Sequence, residues 1–122
     1  MQYCTTRFFA GIVASLMGIA TAGAHAVFDH AVPSIGGAVS TSPQEVRLSF
    51  DEPVEPAFSG VELSTAEGQP ITTSAATTDP GDSAQLVLRL PPLAPGRYKV
   101  TWHVVSADTH RTQGVYIFEI KP

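Results

Sequence analysis

The chain has 122 residues, with seven Lys and Arg against eleven Asp and Glu for a net charge of −4, four His, one Cys and two Met. An acidic balance without a basic run argues against nucleic acid and anionic membrane surfaces as partners, and a single cysteine excludes an intramolecular disulfide framework. The length suits one domain.

In chain order, Arg7 supplies a basic flank, residues 8–20 an apolar run, and Ala22, Gly23 and Ala24 a small-residue A-x-A end. These are the three parts of a cleaved secretory signal, and the run is too short to span a bilayer. Cys4 precedes the run rather than sitting at the cut, so a lipid anchor is not indicated. The expected organisation is a signal peptide over 1–24 and a mature domain over 25–122 that begins at His25. That domain carries six Lys and Arg against eleven Asp and Glu, a net charge of −5, and has lost Met1, Met17 and Cys4. Without a thioether or thiolate, any metal site in it is made of nitrogen and oxygen. Ala24-His25-Ala26 is itself an A-x-A triplet, and a cut after Ala26 would start the protein at Val27 instead.

Pro and Gly fall between short apolar runs, which suggests strands rather than helices. A first strand is expected near Val27–Ala31. In Glu45–Asp51, Val46, Leu48 and Phe50 alternate with Arg47, Ser49 and Asp51, the period of a half-buried strand. Gly60–Ser64 and Gln85–Leu90 repeat the pattern, and a weak strand is expected near Pro70–Ser74. The stretch Thr72–Ser83, rich in small and polar residues, reads as an exposed loop. The turn Pro91–Gly96 feeds the longest strand, Arg97–Val105, where Tyr98, Val100, Trp102 and Val104 share a face. Gln113–Ile120 closes the chain. About seven short strands predict an all-β, antiparallel immunoglobulin-like sandwich or Greek-key barrel, with Phe50, Tyr98, Trp102 and Phe118 in its core.

Four histidines follow the expected cut: His25, His30, His103 and His110. An N-terminal His chelates through its α-amine and a ring nitrogen, and a second His completes three nitrogens in a near-planar T, an arrangement that suits the tetragonal preference of Cu(II). Asp108 and His110 are two apart, so in an extended segment both face one ion. If the first strand and Arg97–Val105 run antiparallel, His25 and the Asp108–His110 turn share one end of the sandwich. Glu52 follows the Val46–Phe50 strand and is placed to bond the N-terminal amine or a ligand imidazole. His103, between Trp102 and Val104, faces away from the core set, and His30 lies further along the sheet; neither is a first choice of ligand.

Taken together, the N-terminal His25, Ala31–Gly36, Val46–Glu55, Leu93–Trp102, Val105–His110 with its W-x-V-V-S-A-D-x-H run, and Gly114–Phe118 resemble the CopC family of periplasmic copper-resistance proteins. The resemblance implies a β-barrel or sandwich and a tight Cu(II) site, with His25, Asp108 and His110 as ligands and Glu52 at the place of an acidic residue near them. It also implies an inner-membrane CopD-type partner. Lacking a mature Met, the chain resembles the Cu(II)-only type.

The leading expectation is a non-enzymatic periplasmic protein that sequesters Cu(II) or hands it on. Two other classes compete. An N-terminal His with a second His is also the copper brace of lytic polysaccharide monooxygenases, although such chemistry needs an open coordination position that Asp108 could fill. A cut after Ala26 would leave a metal-free immunoglobulin-like interaction module. Buffering, delivery and import of copper are not distinguished by the sequence.

Overall fold

The computed structural model describes residues 27–122; the expected signal segment 1–24 and the ligand candidate His25 lie outside the described residues. The described chain forms nine strands: β1 (Phe28–Val32), β2 (Ala38–Val39), β3 (Glu45–Phe50), β4 (Gly60–Thr65), β5 (Pro70–Ile71), β6 (Thr77–Asp79), β7 (Asp82–Arg89), β8 (Gly96–Val105) and β9 (Arg111–Ile120). A single 3₁₀ turn, Pro56–Phe58, is the only helical element among the described residues. Two sheets result, one in the order β1-β3-β7-β6 and the other β2-β9-β8-β4-β5. Every pairing is antiparallel except that of the two-residue β2 with β9. The sheets remain separate, so the architecture is a sandwich and not a closed barrel.

Alternation explains which faces meet. Val46, Leu48 and Phe50 of β3, with Leu86 and Leu88 of β7, are buried against Val61 and Leu63 of β4, the even-numbered residues Tyr98 to Val104 of β8, and Tyr116, Phe118 and Ile120 of β9. The four aromatic residues expected in the core all lie there. Tyr98 also ties the preceding turn to the sheet, its hydroxyl donating to the Ala94 carbonyl at 2.6 Å.

Two short strands exceed the expected seven, β2 and β6. The polar stretch expected as a loop over Thr72–Ser83 in fact contains β6 and the start of β7. Its polarity reflects an exposed sheet edge rather than an absence of pairing. The Asp79 carboxylate accepts from Gly81 N at 2.7 Å, closing the turn, and from Arg47 Nη1 at 2.6 Å, fastening the hairpin across β7 to β3.

Two features of the core carry stability predictions. A Cβ at Gly114 would lie 2.5 Å from Trp102 Cζ2, inside the packed sheet interior, so Gly114→Ala should destabilise the domain by about 1–3 kcal/mol in urea unfolding. The Tyr116 hydroxyl is buried without a hydrogen-bond partner among the described residues, and burial pushes its ionisation up. An unpaired buried hydroxyl is a cost, so Tyr116→Phe should melt at an equal or higher temperature; a clear fall would reveal a bonded water or partner.

Candidate metal centre

The inward alternation of β8 does not stop at Val104. It continues to Ser106, a polar side chain that is 0% exposed one residue past the end of the strand. There the backbone leaves the sheet and returns as β9 through a tight turn: Thr109 N donates to Ser106 O at 2.8 Å, and Ser106 N donates to His110 O at 2.9 Å. Closing the turn puts Thr109 at φ +72°, a left-handed conformation that a β-branched residue adopts only when its surroundings compel it.

The segment after β3 forms the neighbouring wall. Val54 pairs with Ser106 as an isolated antiparallel bridge, Glu55 N donates to Val105 O at 2.8 Å, and Ala107 N donates to Pro53 O at 3.1 Å. The start of the described chain is fastened to the same segment. Val27 N donates to Asp51 Oδ1 at 2.6 Å, and Asp51 N donates to Val27 O at 3.0 Å. The beginning of β1, the end of β3 and the end of β8 therefore meet at one end of the sandwich, as the expected topology requires.

On this rim Asp108 Oδ2 and His110 Nδ1 are 2.9 Å apart, with side chains 35% and 50% exposed. The other carboxylate oxygen, Oδ1, accepts from the Ser106 hydroxyl and from His110 N at 3.4 Å. The Ser106 hydroxyl, followed by the His110 side chain and backbone, holds the Asp108 carboxyl below the usual carboxylate range. The aspartate is thus an anion with one oxygen committed to the protein and one turned to the imidazole. Two donors that occupy adjacent positions on one ion, each about 2.0–2.1 Å from it, stand about 2.9 Å from each other. The Asp108–His110 spacing fits that requirement as well as it fits a hydrogen bond. The pair is brought together by the turn and not by alternation along an extended segment, which corrects the reasoning from the sequence while keeping its two residues.

Glu52 stands between Asp51, which holds Val27, and Pro53, which holds Ala107. Its Oε1 is buried and has no hydrogen-bond partner among the described residues. A buried carboxylate oxygen requires a donor, and Val27 is fastened to the adjacent residue, Asp51. His30 is exposed on the edge strand β1, its Nδ1 2.9 Å from Asp29 Oδ2. His103 is exposed on the outer face of β8, its ring against Gly60. Neither joins the rim cluster. Among the described residues no group of three or more His, Cys, Asp and Glu assembles, and on this rim Asp108 and His110 stand as a pair. Sequence reasoning gave no role to Ser106; the signal for it was a polar residue at an inward position of the β8 alternation.

The chain matches the model of the CopC domain over residues 28–121. It is 36% identical over 116 residues to protein YobA of Escherichia coli strain K12, covering 94% of each. It is 35% identical over 122 residues to copper resistance protein C of Pseudomonas syringae pv. tomato, covering 95% of this chain and 93% of the relative. Among solved structures, it is similar to CopC from Methylosinus trichosporium OB3b, with a TM-score of 0.76 and 34% identity over 80% of this chain and 95% of that one. It is also similar to PcoC, a methionine-rich copper resistance protein from Escherichia coli, with a TM-score of 0.70 and 31% identity over 80% of this chain and all of that one.

The hydrogen bonds to Asp108 have a pH signature. A carboxyl whose folded pKa is depressed contributes stability that is complete above its unfolded pKa and is lost as pH falls through the folded value. Without metal, Asp108→Asn should lose less stability than the unaltered protein on acidification from about pH 5 to about pH 2. Urea midpoints across that range measure it, and parallel profiles would count against the two bonds.

Proposed function

As the chain belongs to the CopC family, we propose that it is a periplasmic Cu(II)-binding protein, delivered by a cleaved signal peptide, that carries copper as cargo without transforming it. The observation that carries this reading is the 2.9 Å spacing of Asp108 Oδ2 and His110 Nδ1 on the rim to which Val27 is fastened. His25 is two residues before Val27, and as the first residue of the mature protein it would add its α-amine and ring nitrogen. Three nitrogens and one carboxylate oxygen make a four-donor set of the kind that Cu(II) binds most tightly among the common divalent ions. The buried Oε1 of Glu52, which has no hydrogen-bond partner among the described residues, is suited to accept from the amine or a ring N–H of His25, orienting a ligand as outer carboxylates do.

Absence of catalysis follows from the same set: with Asp108 in the fourth position, little of the coordination plane is left for a reactant. The only methionines are Met1 and Met17, both removed with the signal, so no thioether is left to retain Cu(I). Reduction then favours release, to an inner-membrane CopD-type protein or another acceptor.

A competitive Cu(II) titration on the protein beginning at His25, and on one with a single Gly before it, tests the reading. Masking the amine should weaken binding by at least about 100-fold, the loss of roughly 3 kcal/mol expected when one arm of a chelate is removed. Equal affinities would take the amine out of the site and overturn the reading.

A further inference from the structure

Several of the polar contacts that shape the Asp108–His110 turn converge on one buried residue, Ser106. Ser106 donates its backbone N–H to His110 O at 2.9 Å, accepts at its carbonyl from Thr109 N at 2.8 Å, and is bridged to Val54 across the junction with β3. Its hydroxyl donates to Asp108 Oδ1 and lies 3.3 Å from His110 O. Packing alone does not call for that hydroxyl. Ser106 continues the inward row of Val100, Trp102 and Val104, where alanine would occupy almost the same volume and bring no polar group into the interior. A hydroxyl buried in such a row has to repay its desolvation through a bond it makes.

We propose that Ser106 is a positioning residue for copper: its hydroxyl engages Asp108 Oδ1 and fixes the carboxylate so that Oδ2 alone is presented to the ion beside His110 Nδ1. This rests on the Cu(II) reading above and deepens it. A carboxylate free to rotate can bind through either oxygen or both, and each freedom must be lost on binding. With Oδ1 engaged from inside the protein, Asp108 acts as a one-oxygen donor held before the metal arrives. Ser106 is buried in the inward row of β8 and bridged to Val54, so the constraint is referred to the sandwich and not only to the exposed turn.

The test compares the mature protein with Ser106→Ala, Asp108→Ala, His110→Ala and the Ser106→Ala/Asp108→Ala double variant. Cu(II) affinity is measured by competition, the EPR spectrum of the bound ion is recorded, and thermal melting of each metal-free form monitors the fold. Ser106→Ala should lower Cu(II) affinity by about 10–100-fold, the range found when a group orienting a ligand is removed, and should alter the EPR parameters. In the Asp108→Ala background the same change should cost no more than about twofold, because the group through which it acts is already gone. Unchanged affinity and EPR spectrum in Ser106→Ala, with Asp108→Ala still impaired, would overturn the Ser106 role and leave the metal site standing. An equal loss in both backgrounds would also overturn it, since that pattern belongs to a generally loosened turn. If neither Asp108→Ala nor His110→Ala weakens Cu(II) binding, the metal reading fails and the Ser106 role with it.

Discussion

Three aromatic rings determine where the working end of this molecule lies. Trp102 of β8 stacks on Phe28 of β1, with ring centroids 5.6 Å apart and planes 18° from parallel, and meets Phe50 of β3 edge-on at 5.3 Å. Phe28 and Phe50 close the triangle at 6.0 Å. Each contact adds about 0.5–1.5 kcal/mol to what burial of the rings supplies. The triangle joins the two sheets at the place where β1 begins and β3 ends. Gly114 opposite Trp102 leaves room for the indole, and without that room the ring would be driven toward the partner sheet. From this cluster the peripheral contacts follow: Val27 reaches Asp51 one residue beyond Phe50, and Ser106 reaches Val54 four residues beyond Phe50.

Two central strands were legible because apolar residues alternate with polar ones along them. Val46, Leu48 and Phe50 in β3, and Tyr98 through Val104 in β8, announce the pleat by alternating with polar residues, and both strands stand where the alternation puts them. β2 and β6 carry no such record. An edge strand of two or three residues, exposed and stabilised by a turn and an Arg47–Asp79 ion pair, has the composition of a loop. The β2 pairing with β9 is parallel and non-local, which no period in the sequence encodes.

At the rim, the residue types and their spacing were legible and their conformation was not. Asp108 and His110 stood out by type and spacing, but the extended geometry invoked to join them is replaced by a turn whose apex, Thr109, has φ +72°. Strain at a β-branched residue leaves no mark in a sequence, because it is imposed by the folded surroundings: Pro53 and Val54, distant in the chain, on one side, and closure of the turn from Ser106 to His110 on the other. Ser106 was legible in principle. Its position continues the even-numbered row of β8, and a polar side chain in a buried row requires a partner, which Asp108 two residues later provides.

A protein that carries an ion has to satisfy two opposed requirements, and on the proposed reading the division of this rim into buried and exposed parts would meet both. Affinity depends on donors held in place before binding, so that little freedom is lost when the ion arrives. Exchange depends on donors that solvent or an acceptor can reach. Here the fixing elements lie within the fold: Ser106 at 0% exposure, Val54 at 4%, and the ring triangle beneath them. The proposed donors are outside, with half of the His110 side chain and about a third of the Asp108 side chain in solvent. A site sunk into the sandwich would hold its ion as firmly but would require the sheets to part for release. On the proposed reading, Asp108 and His110, placed at the end of the strands on a turn braced from beneath, would let copper enter and leave while the β-framework stays closed.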